Sequence, residues 1–411
     1  MAPSAIPTQD VDLTAANIQV KEATQPTKPT TADVVPAPLD ASKLIFNLTK
    51  NPREVPDEAV ANASEHTICT DHMLTATWTA SGGWAAPEIK PYGPLSLMPT
   101  ASVLHYATEC FEGLKVYRGY DGKLRTFRPD RNCARMLLSA SRISLPIFDP
   151  AELEKLILSL LSVDGPRWLP REKPGNYLYI RPTLIGTQSQ LGVQAPREAM
   201  LYIIITYMPR LDSPVGGMRL HTSPEDMVRA WVGGFGYAKV GANYGPSLAA
   251  TSDARRRGYH QILWLYGKDG ECTEAGASNF FIVWTRKDGK KELITAPLDD
   301  KLILDGVTRR SILEMARERL GDELEITERK YTIDEVLEAD AEGRLIESFA
   351  AGTAYFVCPV SAIHHRGKDI NIPMGPENTP NVITSKIKTW IGDIMYGNVD
   401  HPWGVVIPEK Q

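Results

Sequence analysis

From about residue 102 onward, short apolar runs bounded by turn residues alternate with amphipathic stretches, a pattern that predicts a mixed α+β or α/β layout. Residues 114–117 and 124–127 flank Asp121-Gly122, a tight-hairpin dipeptide, and predict two paired strands. Asp130 then reads as the N-cap of a helix through about residue 143, with Arg135 on it. Residues 151–163 predict a second amphipathic helix, and 177–181 and 200–207 predict buried strands. These elements would form one smaller domain. Pro214 with Gly216 and Gly217 combines a fixed φ with permissive positions, so 212–217 is read as an interdomain linker.

A second set of elements follows. Pro246 suits the first turn of a helix to residue 257, with Gly258 beyond its end. Strands are expected at 261–266 and 280–285, joined through Asp269-Gly270, and at 292–295 after Asp288-Gly289. Asp305-Gly306 opens a helix over 307–320 closed by Gly321; strands at 324–330 and 344–350 and a long helix over 382–396 complete the fold. The predicted organisation is a disordered N-terminal arm over 1–45, a smaller α+β domain over 46–211, the linker, and a larger domain over 218–411. The arm is rich in Pro, Thr and Ala and has no periodic apolar face.

Composition narrows the function classes. With 411 residues, 43% of them hydrophobic and 23% charged, the chain can bury two ordinary cores. A net charge of −5 gives no global attraction to nucleic acid, and Arg255-Arg256-Arg257 reads as the cationic last turn of a helix. The longest apolar runs fall far short of the roughly 20 residues that span a bilayer, so no membrane role is expected. Five scattered cysteines without a CxxC pair or a nearby histidine pattern suggest reduced thiols and no metal site. The N-terminal arm lacks arginine and carries Asp10, Asp12, Glu22 and Asp33, which favours the cytoplasm over a mitochondrial location.

Candidate chemistry centres on Lys239, a lysine among five glycines between Gly233 and Gly245, with no acidic neighbour in sequence. Glycines let a backbone or a flat ligand approach closely, and burial would favour a neutral, nucleophilic amine. A nucleotide-binding loop is excluded, because no Gly-Lys pair in the chain is followed by Ser or Thr. A carbonyl cofactor such as pyridoxal phosphate instead needs an amine, an anion at its ring nitrogen, a donor at its phenolate oxygen and a phosphate cup. Glu274 and Tyr244 are candidates for the second and third roles, although, taken singly, a solvated loop acid and a half-buried core tyrosine are the commoner readings. The amides of Gly306-Val307-Thr308 at a helix start, the Gly352-Thr353-Ala354 turn and Arg135 could form the cup. An ion-pairing role remains open for Arg135.

The motifs Leu104-His105-Tyr106, Phe111-Glu112-Gly113-Leu114-Lys115, Arg181-Pro182, Asn243-Tyr244-Gly245-Pro246, Glu274-Ala275-Gly276, Asp305-Gly306-Val307-Thr308-Arg309 and Gly352-Thr353-Ala354 resemble, in order, those of the branched-chain amino acid aminotransferases. The resemblance runs from about residue 70 to residue 403. It implies an α+β, two-domain fold-type IV pyridoxal-phosphate enzyme, like the D-amino-acid aminotransferases, with mixed sheets and flanking helices. It further implies a homodimer and a ping-pong exchange of amino groups between leucine, isoleucine or valine and 2-oxoglutarate. Position by position, Lys239 matches the Schiff-base lysine, Tyr244 the phenolate donor, Glu274 the ring-nitrogen partner and Arg135 the phosphate arginine. Val307, Thr308 and Thr353 fall in the implied cup, and Tyr106, Phe111, Tyr179, Arg181 and Ala354 on the substrate side. Arg181 would accept the second carboxylate of glutamate. The chain departs from the family in three places: Phe349-Ala350-Ala351-Gly352-Thr353 replaces a Phe-Gly-Ser-Gly-Thr run, Ala277 replaces a threonine, and Tyr355 stands where animal members carry a redox cysteine. These departures keep open a paralogue acting on an unusual amino acid; a D-amino-acid aminotransferase or an aminodeoxychorismate lyase on the same scaffold ranks behind it.

Overall fold

The protein, seen in a computed structural model, is described over residues 36–64, 67–207, 214–354 and 356–409. Two large sheets dominate. The first, of ten strands among the described residues, runs in the order Ile45–Phe46, Glu88–Pro91, His72–Thr79, Glu198–Thr206, Tyr177–Gly186, Leu114–Arg118, Leu124–Phe127 and Gly404–Val406, with Gly83–Trp84 and Glu109–Phe111 attached at its side. Pairing in this sheet is antiparallel except where Ile45–Phe46 meets Glu88–Pro91. The Asp121-Gly122 hairpin forms as its dipeptide predicts, with Gly122 at φ +77° and Val116 opposite Thr126.

The second sheet, of nine strands among the described residues, is mixed. Met218–Thr222 lies parallel to both Gln261–Tyr266 and Phe356–His365, while Ser278–Thr285 pairs antiparallel with Leu345–Gly352. The chain changes sheet between Thr206 and Met218, the stretch read as a linker; residues 208–213 of it lie outside the described residues.

Several expectations are corrected. Residues 1–35 of the expected arm lie outside the described residues, but 36–45 belong to the fold. Ala37 bridges Gly83, Leu39 is buried, and the Glu152 carboxylate accepts from Ala41 N at 2.7 Å. The helix carrying Arg135 spans Pro129–Arg142 and is not capped by Asp130. It starts because Pro129, at the first helical position, follows Arg128 at φ +47°. Glu274 lies within a strand, Glu271–Ala275, rather than in a turn before one. The 382–396 helix, observed as Val382–Met395, does not end the fold: Gly404–Val406 crosses back to pair with Leu124–Phe127. The final residues of the expected larger domain thus complete the first sheet.

That return is matched by packing. One apolar cluster joins Tyr117, Phe127 and Tyr177 of the first sheet to Phe281, Phe349, Ile312 and Ile387 of the second sheet and its helices. The two sheets are therefore fixed against each other by a buried core, and the cavity described next lies where they meet.

Candidate active site

Lys239 reaches its place along an extended strip that ties the two halves together. Phe111 N donates to Lys239 O at 3.1 Å, Cys110 bridges Val240, and Lys239 N donates to Ser139 Oγ at 2.8 Å. Immediately afterwards a short 3-10 turn, Gly241–Asn243, reverses the chain, and Asn243 Nδ2 donates to Ala238 O at 2.8 Å and to Phe235 O at 3.1 Å. The reversal brings Tyr244 back onto the lysine. Lys239 Nζ lies 3.0 Å from Tyr244 Oη and 4.8 Å from the centre of the Phe111 ring. Lys239 is half-buried, with its amine facing a cavity of about 530 Å³.

Glu274 lines the same cavity and is fully enclosed. Its Oε1 accepts from Leu304 N at 3.1 Å and Asn279 Nδ2 at 3.2 Å. Its Oε2 lies 2.5 Å from Arg229 Nε but off the axis of that N–H, so it has ion pairing without a hydrogen bond. Burial pushes this acid above the usual carboxylate range, against the charges of Arg229 and Lys239. A buried carboxylate oxygen with no aligned donor carries a free energy cost that a protonated ring nitrogen would relieve.

The candidate anion cup lies at the start of the Val307–Leu320 helix, where Gly306 is the N-cap and no side chain caps the free amides. A Cβ at Gly306 would fall 2.2 Å from Asn279 Oδ1, so a larger residue here would displace the side chain that donates to Glu274 Oε1. Val307 and Thr308 line the cavity here, opposite Gly352, Thr353 and Ala354. Thr353 Oγ1 donates to Gly113 O at 3.2 Å, and Lys115 Nζ donates to Ala354 O at 2.9 Å.

Arg135 also faces the cavity, but as half of a buried pair. Its Nε and Nη2 donate to the two oxygens of Glu112 at 2.7 and 2.8 Å, and Nη1 donates to Asp305 O at 3.0 Å. The ion-pair reading of Arg135 holds, and because a guanidinium has five N–H donors the pair does not use up its hydrogen-bonding capacity. Burial works against its charge, yet the Glu112 carboxylate more than compensates and holds Arg135 more firmly protonated than an ordinary arginine.

On the other side of Lys239 the cavity has an aromatic wall. Phe111 and Tyr244 pack with ring centres 5.1 Å apart, and the Arg181 guanidinium lies 4.6 Å over Phe111 and donates Nη2 to Tyr179 Oη at 3.0 Å. Arg181 Nε is buried without a partner. Ala277 and Ala351 line this cavity, whereas Ala350 belongs to the core behind it. Tyr355 lies outside the described residues.

Of the twelve candidate residues, the structure gathers eleven: Lys239, Arg135, Tyr244, Glu274, Val307, Thr308, Thr353, Phe111, Tyr179, Arg181 and Ala354. Tyr106 is the exception. It ends the Ser102–Tyr106 helix, is 38% exposed, and does not line the cavity of its own chain. Sequence reasoning missed Glu109, Asn279 and Arg229. The first two adjoin recognised motifs, while Arg229 lies ten positions before Lys239 in a run with no periodicity to mark it.

Comparison with known proteins agrees with this geometry. Residues 109–363 match the family Amino-transferase class IV. The mitochondrial branched-chain-amino-acid aminotransferase of Schizosaccharomyces pombe is 47% identical over 373 residues, covering 90% of this chain and 86% of that protein. This chain belongs to the branched-chain-amino-acid aminotransferase family. The cytosolic enzyme of Saccharomyces cerevisiae is 46% identical over 378 residues, covering 91% of this chain and 99% of its own, so the family includes forms named for both compartments. Among solved structures, the branched-chain aminotransferase of the thermophilic archaeon Thermoproteus uzoniensis, crystallised with norvaline, superposes with a TM-score of 0.64 at 25% identity, over 81% of this chain and 99% of that one. Among the described residues of this family member, no helix is long and apolar enough to cross a membrane.

Proposed function

We propose that this aminotransferase binds pyridoxal 5'-phosphate in the cavity and exchanges the amino group of leucine, isoleucine or valine with 2-oxoglutarate, giving glutamate. The observation that carries the reading is the convergence of Lys239 Nζ, Tyr244 Oη, the enclosed Glu274 carboxylate and an uncapped helix start around one space. When bound, the cofactor supplies an electron sink for the charge left on the substrate α-carbon. Lys239 would tether it, Glu274 would hold its ring nitrogen, Tyr244 its phenolate oxygen, and Val307, Thr308, Thr353 and Arg135 its phosphate.

Lys239 Nζ serves as the base that takes the α-proton of the amino donor and, in the second half of the exchange, as the acid that delivers a proton to the α-carbon of the acceptor; Tyr244 Oη orients that amine in both. Phe111, Tyr179 and Tyr244 exclude water from the apolar side chain, while Arg181 offers unused N–H donors to a second carboxylate. Thr353 and Ala354 close the remaining wall. One cavity can therefore take a branched side chain and an acidic one in turn.

The enzyme is further proposed to be a homodimer, with Tyr106 contributing to the substrate pocket from across the interface. Tyr106, Leu104 and Met98 are exposed together with Leu191 and Val193, and the two segments are joined by the Ala101 to Ser189 bridge. An apolar surface of this kind marks an association site.

The test is a panel of amino donors with 2-oxoglutarate, reading the glutamate formed. Leucine, isoleucine and valine should be the best donors, and Lys239→Ala should lose both turnover and the yellow colour of the cofactor-saturated protein. Absence of glutamate with every branched donor would refute the substrate assignment. Retained colour and activity in Lys239→Ala would refute the role of the lysine.

A further inference from the structure

Glu109 is the carboxylate in the cavity that none of these roles uses. It begins the Glu109–Phe111 strand, where Glu109 pairs with Ile185 and Phe111 with Thr183, so acid and aromatic ring lie two residues apart on one face. Its side chain lies against the backbone of Gly241: a Cβ added there would fall 2.7 Å from Glu109 Oε2. Among the described residues, its carboxylate has no hydrogen-bond or ion-pair partner. Arg181, on the strand paired with this one and lining the same cavity, also lacks an ion-paired carboxylate, and its Nε is buried and unmatched.

Two opposite charges thus share the pocket without touching. Burial raises the Glu109 acid while the Arg181 charge lowers it, so the two interact through the intervening space. A cavity containing arginine alone would favour acidic side chains over apolar ones, because an apolar occupant leaves the cation desolvated and uncompensated.

We propose that Glu109 determines specificity between the two halves of the exchange: it compensates Arg181 while an apolar side chain fills the cavity, and it weakens the hold on a second carboxylate. A leucine side chain leaves the Glu109 and Arg181 charges to compensate each other, whereas a glutamate side chain must compete with Glu109 for Arg181. Without the counter-charge, product glutamate would be held too firmly relative to the branched donor. The proposal rests on the substrate reading given above and assigns one residue the balance between its two substrate classes.

The experiment compares the wild-type holoenzyme with Glu109→Gln, which keeps the shape and removes the charge. Two dead-end ligands, glutarate and 4-methylpentanoate, are titrated against each protein, and kcat/KM is measured for glutamate and leucine. Glu109→Gln should tighten glutarate by about fivefold or more while leaving 4-methylpentanoate within about twofold, as expected for one half-buried charge removed at a distance. The glutamate-to-leucine ratio of kcat/KM should rise in parallel, and Arg181→Gln should move both ratios the other way. Equal changes for the two ligands, or none, would overturn the role of Glu109. If the wild type produces no glutamate from branched donors, the substrate reading fails instead; the glutarate ratio, which needs no turnover, still decides the role of Glu109.

Discussion

Removing Glu112 should destabilise the protein far more than removing the whole ion pair to which it belongs. Glu112 is 1% exposed and receives Arg135 Nε and Nη2, Asn132 Nδ2 at 2.8 Å and its neighbour's amide, Gly113 N, at 3.2 Å. In Glu112→Ala the Arg135 guanidinium stays enclosed with Asp305 O as its remaining acceptor. A buried charge stripped of its partner costs about 3–5 kcal/mol, whereas replacing both members by apolar residues of similar volume is often near neutral. The double variant Glu112→Leu, Arg135→Met should therefore be more stable than Glu112→Ala alone. Urea denaturation of the cofactor-free protein, followed by tryptophan fluorescence, measures both, and the single variants Glu112→Leu and Arg135→Met close the cycle. Cofactor affinity supplies the second readout: it should fall in every variant, because Arg135 is held at the cup by Glu112. A Glu112→Ala protein within about 1 kcal/mol of wild type, or a double variant worse than the sum of the singles, would refute the reasoning.

Glu274→Gln keeps the bonds from Leu304 N and Asn279 but removes the charge, so the protein should retain cofactor while turnover falls on the order of a hundredfold; undiminished kcat would contradict the assignment of Glu274 to the ring nitrogen. Lys115 is pushed down to about 8 by burial, from 10.5 for a free lysine. Between those values the unfolded chain holds a proton that the folded chain has shed, so stability contributed at this site rises with pH across the window, by roughly 3 kcal/mol in full. Denaturation midpoints of wild type relative to Lys115→Met should therefore climb from pH 8 to 10.5, and parallel curves would show that the amine is not desolvated.

Short-range signals carry much of this structure. The Asp-Gly hairpins, the Val307–Leu320 helix with Gly306 before it, and the Lys239 and Glu274 segments are encoded locally, by residues whose backbone preferences or chemistry stand out in a window of a few positions. What escapes a local reading depends on contacts between distant segments. The Gly404–Val406 strand is three residues long and forms only because Leu124–Phe127 offers an open edge. The Ile333–Ala341 helix is a different case: its signature, the Thr332 and Glu335 capping box, is legible in the sequence but is masked by the strands around it. Arg229 becomes part of the site only once residues 218–275 have folded, because its partner Glu274 lies on a strand 45 positions further along. The outward position of Tyr106 likewise follows from a left-handed residue, Ala107, at φ +49°, which no propensity marks.

The segment from Glu109 to Lys115 shows why recognising a motif and understanding it differ. In sequence, Phe111 reads as a wall for substrate, and Glu112, Gly113 and Lys115 as marks of resemblance. In the folded chain Phe111 N holds the Lys239 carbonyl, Glu112 holds Arg135, Gly113 O accepts from Thr353, and Lys115 holds Ala354. Gly113 must be glycine for this to close, since a Cβ there would fall 1.9 Å from Tyr179 Oη. Each bond joins this one stretch of the first sheet to a different part of the catalytic cavity, and the two to Thr353 and Ala354 cross to the second sheet. The geometry of the site is thus a property of the junction, so changes in this segment should disturb the cofactor cup and the substrate wall together, in a way that changes to either wall alone would not.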